Sequence, residues 1–84
     1  MYYVYFIRSR KDPSKRYVGY TTNIQERLDR HNSDTGSIYT AQYSPWELES
    51  YVAFKSKPKA IDFEKYMKTG SGQTLANKRF WEIG

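Results

Sequence analysis

The chain opens on Tyr2 to Ile7 (YYVYFI), aromatic and β-branched residues with no polar alternation, the pattern of a strand covered on both faces. The polar stretch RSRKDPSK follows, with Asp-Pro inside it, and RYVGYT then resumes strand character. Two antiparallel strands joined by a basic loop are predicted. Thr22 with Gln25 three residues on has the form of a capping box, which predicts a helix from about Asn23 to His31. Residues 33–45 (SDTGSIYTAQYSP) read as a long loop, of a length often kept for function. WELESYVAF alternates, with Trp46, Leu48, Val52 and Phe54 on one side and Glu47, Glu49, Tyr51 and Ala53 on the other, so a half-buried strand is expected. Ser56 and Pro58 open a second helix that Gly70 is expected to close. A last helix is predicted from about Gln73 to Trp81, docked through Leu75, Phe80 and Trp81. The order β-β-α-β-α-α implies an α+β fold, a three-stranded antiparallel sheet flanked by helices.

Eighty-four residues suit a single domain, and nine tyrosines, four phenylalanines and two tryptophans supply one compact core. The absence of cysteine excludes a disulfide framework and thiolate metal sites. The apolar run Tyr2 to Ile7 is far too short for a membrane span or a signal-peptide core, so a soluble cytoplasmic protein is expected. Fourteen Lys and Arg against nine Asp and Glu give a formal net charge of +5, which favours polyanionic partners.

Two helices carry charge where a core would prefer carbon. With Ala60 at zero on a helical wheel, Phe63 and Met67 fall within about 60° and Glu64 at about 40°, inside the apolar arc. An ionised carboxylate there needs a partner. A salt bridge to a base such as Arg27, a position skimming the surface, and a divalent ion all remain open. Lys68, at about 80° on the same wheel, reaches solvent or a phosphate. On the first helix Arg27 and His31 project within about 60° of Ile24, four residues apart and therefore neighbours. Taken singly they read as a snorkelling arginine and a packed histidine. Beside a Tyr-Val-Gly strand they suggest a site, because Tyr17 and Gly19 share a strand face and a strand glycine marks close approach.

The chain resembles the GIY-YIG nuclease family, most closely its small stand-alone bacterial members. The first triplet stands as Tyr3-Val4-Tyr5 and the second as Tyr17-Val18-Gly19, separated by eleven residues. Thr22 to Asn32 (TNIQERLDRHN) is similar to the family's arginine helix, and Phe63 to Gly72 (FEKYMKTGSG) to its glutamate helix. The resemblance implies a phosphodiester-hydrolysing site with one divalent ion, Mg²⁺ or Mn²⁺, held by Glu64. It implies that Arg27 steadies the scissile phosphate, that Tyr17 or Tyr5 activates or orients the attacking water, and that His31 contacts phosphate or the tyrosines. Asn77 is the candidate for an asparagine that completes the site in several members. Tyr3 replaces the glycine of the first triplet, a change expected to alter packing more than chemistry.

The leading expectation is a metal-dependent endonuclease on nucleic acid, DNA before RNA, in repair or processing, with no membrane or small-molecule cofactor. Without an attached DNA-binding module, affinity would rest on Arg8, Arg10, Lys11, Lys15 and Arg16, which position a duplex without reading bases. The rival reading is a non-catalytic nucleic-acid-binding module whose tyrosines stack on bases. A protein-interaction domain using the edge of WELESYVAF is the third.

Overall fold

The computed structural model describes residues 1–33 and 38–81. The elements are β1 (Tyr2–Ser9), β2 (Arg16–Thr21), α1 (Ile24–His31), α2 (Ile38–Gln42), β3 (Trp46–Phe54), α3 (Lys57–Met67) and α4 (Gly70–Arg79). The sheet is antiparallel in the order β2-β1-β3, so β1 is central and β2 an edge. This is the α+β architecture expected, with one addition: five residues of the long loop form α2. The loop prediction also covered residues 34–37, which lie outside the described residues. The helical turn forms because its inner side is tied down. Thr40 is fully buried and its carbonyl accepts the Trp46 indole N–H at 2.7 Å.

The central place of β1 explains its unalternating sequence. Val4 and Phe6 pack under α3 and α4 with Ala60, Met67, Ala76 and Trp81, while Tyr5 and Ile7 face Trp46, Ile24 and Leu28 on the other side. Removing Val4, Phe6 and Ile7 from water contributes about 1.5–3 kcal/mol apiece. The single apolar face expected for β3 is not what forms. Phe6 pairs with Ser50 but Ile7 pairs with Leu48, so Glu49 is an extra residue in a bulge. Beyond it the faces exchange: Val52 and Phe54 join the α3/α4 core, whereas Trp46 and Leu48 join the opposite one. Glu49 lies against Arg8 as an ion pair at that point.

Three helix ends differ from the reading of the sequence. Asn23, not Thr22, caps α1: its Oδ1 accepts from the Glu26 N–H at 3.1 Å, and Thr21 Oγ1 accepts from the Asn23 N–H at 3.1 Å. Asparagine is at least as good a cap as threonine, and the buried Thr21 hydroxyl fixes the turn. Gln25 instead donates to Asp29 at 2.9 Å. Ser56 caps α3 as expected, with Pro58 in its first turn. Gly70, however, does not close α3 but begins α4, because Thr69 Oγ1 donates to the Tyr66 carbonyl at 2.7 Å and accepts from the Gly72 N–H at 3.1 Å. The buried residues of α4 are Gly72 and Ala76, while Leu75, expected to dock it, is 37% exposed. Phe80 and Trp81 dock as expected, at 4.8 Å and 5.5 Å from Phe6 between ring centroids.

Candidate active site

The site gathers on the edge strand β2. Gly19 pairs with Tyr5, and a Cβ there would lie 2.3 Å from the Tyr5 hydroxyl. The missing side chain therefore lets the phenol cross β2, where it meets Nε2 of His31 at 2.7 Å in a buried hydrogen bond. Tyr17, two residues from Gly19 on the same face, packs edge-on to His31 at 5.2 Å and tilted to Tyr5 at 6.4 Å. Gly19→Ala is expected to rotate the Tyr5 ring, break that hydrogen bond and cost about 1–3 kcal/mol. Loss of the His31 ring's chemical-shift signature beside a still-folded amide spectrum checks it; an unchanged His31 environment would count against it.

Burial dominates the electrostatics of this pair. The Tyr5 phenol is pushed well above the ordinary tyrosine range by burial and by Tyr17, and the pull of Arg27 in the other direction is smaller. Burial thus outweighs the pull of Arg27, and the phenol keeps its proton at neutral pH. His31 is held below its ordinary value by burial and then by Arg27 and Arg30. Its Nδ1 is buried and has no hydrogen-bond partner among the described residues, so one ring nitrogen goes unsatisfied in either tautomer. A depressed histidine makes stability full above its unfolded value of about 6.5 and lowers it as pH falls below that. His31 is the one histidine in the sequence, so NMR titration of its imidazole reads this directly. A midpoint below about 6.5 is expected, and one at or above it would contradict the burial argument.

From the other side of β2, α3 brings Glu64 and Lys68. Glu64 does not pair with Arg27; its Oε2 lies 3.1 Å from the Lys68 ammonium, with side-chain exposures of 19% and 51%. Lys68 Nζ also sits 5.6 Å from the Tyr17 ring centroid, so the lysine that holds Glu64 is itself at the site. Glu64 is near enough to Tyr5 to raise its proton affinity, as Arg27 is to lower it. Six side chains on four elements thus gather here: Tyr5 on β1, Tyr17 on β2, Arg27 and His31 on α1, and Glu64 and Lys68 on α3. The pairing of Glu64 with Lys68 was legible only as proximity on the helical wheel.

Asn77 lines a cleft of about 510 Å³ whose walls also include Tyr17, Tyr39, Lys68 and Trp81. Its Oδ1 accepts from Arg16 at 2.9 Å, and the Arg16 guanidinium lies 4.9 Å over Trp81. Several bases expected to hold a duplex already have partners within the chain. Arg8 pairs with Glu49, Arg10 reaches Glu47 at 3.6 Å, and Lys11 donates to the Gln42 carbonyl at 3.4 Å. The pairs at the surface are weak enough to yield to phosphate.

Among the described residues no group of three or more His, Cys, Asp or Glu could hold a metal ion. The donor set therefore suits only a hard cation that keeps most of its water and takes further oxygens from a substrate, with Glu64 as the one carboxylate. That carboxylate fits the part, since it is mostly buried and already has a cation 3.1 Å away.

No helix among the described residues is long and apolar enough to cross a membrane. A model of the GIY-YIG catalytic domain matches residues 1–79. The UPF0213 protein of Staphylococcus haemolyticus is 40% identical over 72 residues, 86% of this chain and 85% of that protein. The UPF0213 protein of Clostridium perfringens is 37% identical over 68 residues, 81% of this chain and 71% of that protein. The solution NMR structure of a UPF0213 protein from Bacillus halodurans, 30% identical, shares the fold with a TM-score of 0.56, covering 95% of this chain and 87% of that one. With its two tyrosine triplets on adjacent strands, and with Arg27 of α1 and Glu64 of α3 both reaching Tyr5, this chain belongs to the GIY-YIG family.

Proposed function

We propose that this protein is a metal-dependent endonuclease that hydrolyses DNA phosphodiester bonds with little sequence preference. The observation that carries the reading is the convergence of Arg27 and Glu64 on one tyrosine-histidine cluster at the edge of the sheet. In hydrolysis, water oxygen bonds to phosphorus as the bond to the leaving alcohol oxygen breaks, and negative charge grows on the phosphate. Arg27 is placed to offset that charge with its guanidinium. Tyr17, which lines the cleft, is assigned to orient the water. The proton has a route through the neutral Tyr5 hydroxyl to His31 Nε2, since burial keeps His31 unprotonated and able to accept. Glu64 would hold a Mg²⁺ or Mn²⁺ ion, which when bound supplies Lewis-acid stabilisation of the phosphate. Asn77, in the wall of the same cleft and held by Arg16, is assigned to the substrate side of the site.

Lys15, Arg16 and Lys68 line the same cleft and suit phosphates, which is why weak, salt-sensitive and poorly selective binding is expected. The test is incubation of purified protein with supercoiled plasmid and branched DNA, with Mg²⁺, with Mn²⁺ and with chelator. Nicking that needs the added ion supports the reading, and nicking that persists in chelator overturns it. Binding without any cleavage favours a non-catalytic module in which Tyr39 and Tyr17, both lining the cleft, serve as stacking surfaces.

A further inference from the structure

Lys68 is bound to the one carboxylate that the site offers to a cation. An i,i+4 pair on an exposed helix face would mean little. This one differs in two ways. The carboxylate is the sheltered partner, 19% exposed against 51% for the lysine, and the ammonium lies 5.6 Å over the ring of Tyr17 rather than out in solvent. An ammonium 3.1 Å from Oε2 claims the space that a divalent ion would take on the same oxygen. Nothing else compensates, because the described residues offer no further cluster of metal-ligating side chains around it.

From this geometry we infer that Lys68 is a built-in competitor for the divalent ion at Glu64, displaced when a nucleic-acid phosphate offers the ammonium a second anion. The inference rests on the reading of Glu64 as the ion's protein ligand. Without nucleic acid, ion and ammonium meet at one carboxylate oxygen and repel, so the ion binds poorly. A phosphate alters both halves of the contest. It gives the ion oxygen ligands that the protein lacks, and it gives Lys68, half exposed on a flexible stem beside the cleft, somewhere else to go. Ion and nucleic acid then bind with positive coupling, and by linkage each strengthens the other equally.

The experiment is a Mn²⁺ titration, followed by electron paramagnetic resonance, of wild type, Lys68→Met, Lys68→Arg and Glu64→Gln. Each is measured alone and with a hydrolysis-resistant phosphorothioate duplex, whose own Mn²⁺ binding is subtracted. Without the duplex, Lys68→Met is expected to bind Mn²⁺ about tenfold or more tightly than wild type, from removal of one charge about 4 Å from the ion. Lys68→Arg stays near wild type. The duplex tightens Mn²⁺ binding in wild type and by a much smaller factor in Lys68→Met. If Lys68→Met binds no more tightly alone, or keeps the full enhancement by duplex, the competition is overturned while Glu64 remains the ligand. If Glu64→Gln binds Mn²⁺ as wild type does in every condition, the assignment of Glu64 fails and the competition with it.

Discussion

Glu64→Gln is expected to lower ion-dependent cleavage by about 10³-fold or more while leaving the molecule folded. The two effects separate because they draw on different energies. Removing the charge costs several kcal/mol of transition-state stabilisation if Glu64 is the one protein ligand of the ion, and roughly 4 kcal/mol is about 10³ in rate. The native state loses only a partly exposed ion pair with Lys68, worth at most about 1 kcal/mol, and glutamine keeps the shape. The measurement is plasmid nicking beside a thermal melt of the same preparation. A variant that melts like wild type and cuts like wild type would remove Glu64 from the chemistry.

Gly72→Ala should be the most destabilising exchange of a single small residue for another. Helix propensity alone favours alanine in α4 by about 1 kcal/mol. Against that, a Cβ at Gly72 would lie 1.9 Å from the Tyr66 carbonyl oxygen and 2.8 Å from Met67 Cα. Both are backbone atoms of α3, so no side chain can swing aside, and the two helices must separate. Overpacking of this kind costs about 3 kcal/mol, enough to outweigh propensity and to lower Tm by more than about 10 °C in a domain of this size. Gly70→Ala is the internal control, because nothing lies within 4 Å of its Cβ position. It is expected to hold Tm or raise it slightly. Equal melting of both variants would mean that the contact between α3 and α4 is looser than described.

These glycines also show where the sequence was readable. The strand Tyr2 to Ile7 declared its burial on both faces, and Arg27 and His31 stood out beside the strand face of Tyr17 and Gly19, whereas Tyr5 joined them only through the resemblance to the family. TGSG was ambiguous, since a glycine after a helix signals its end and a threonine before one signals its start, and the hydroxyl of Thr69 decided for the second. The bulge at Glu49 is not marked in WELESYVAF, where Trp46, Leu48, Val52 and Phe54 keep one parity across it. Only the pairing with β1 reveals that one residue is skipped. The partner of Asn77 lies 61 positions away in Arg16, beyond any local pattern. Local rules placed Lys68 near Glu64 but did not decide between a phosphate, solvent and its own helix.

The exchange of faces in β3 divides the interior into two halves that share β1. The half under α1 contains Tyr5, Tyr17 and His31, and Glu64 arrives with the helices of the other half. On the assignment proposed here, the acid is also the last of these residues to be synthesised. On that assignment, a nascent chain that ends before α3 carries the tyrosines and the histidine but lacks the carboxylate assigned to the ion, and is expected to leave DNA uncut.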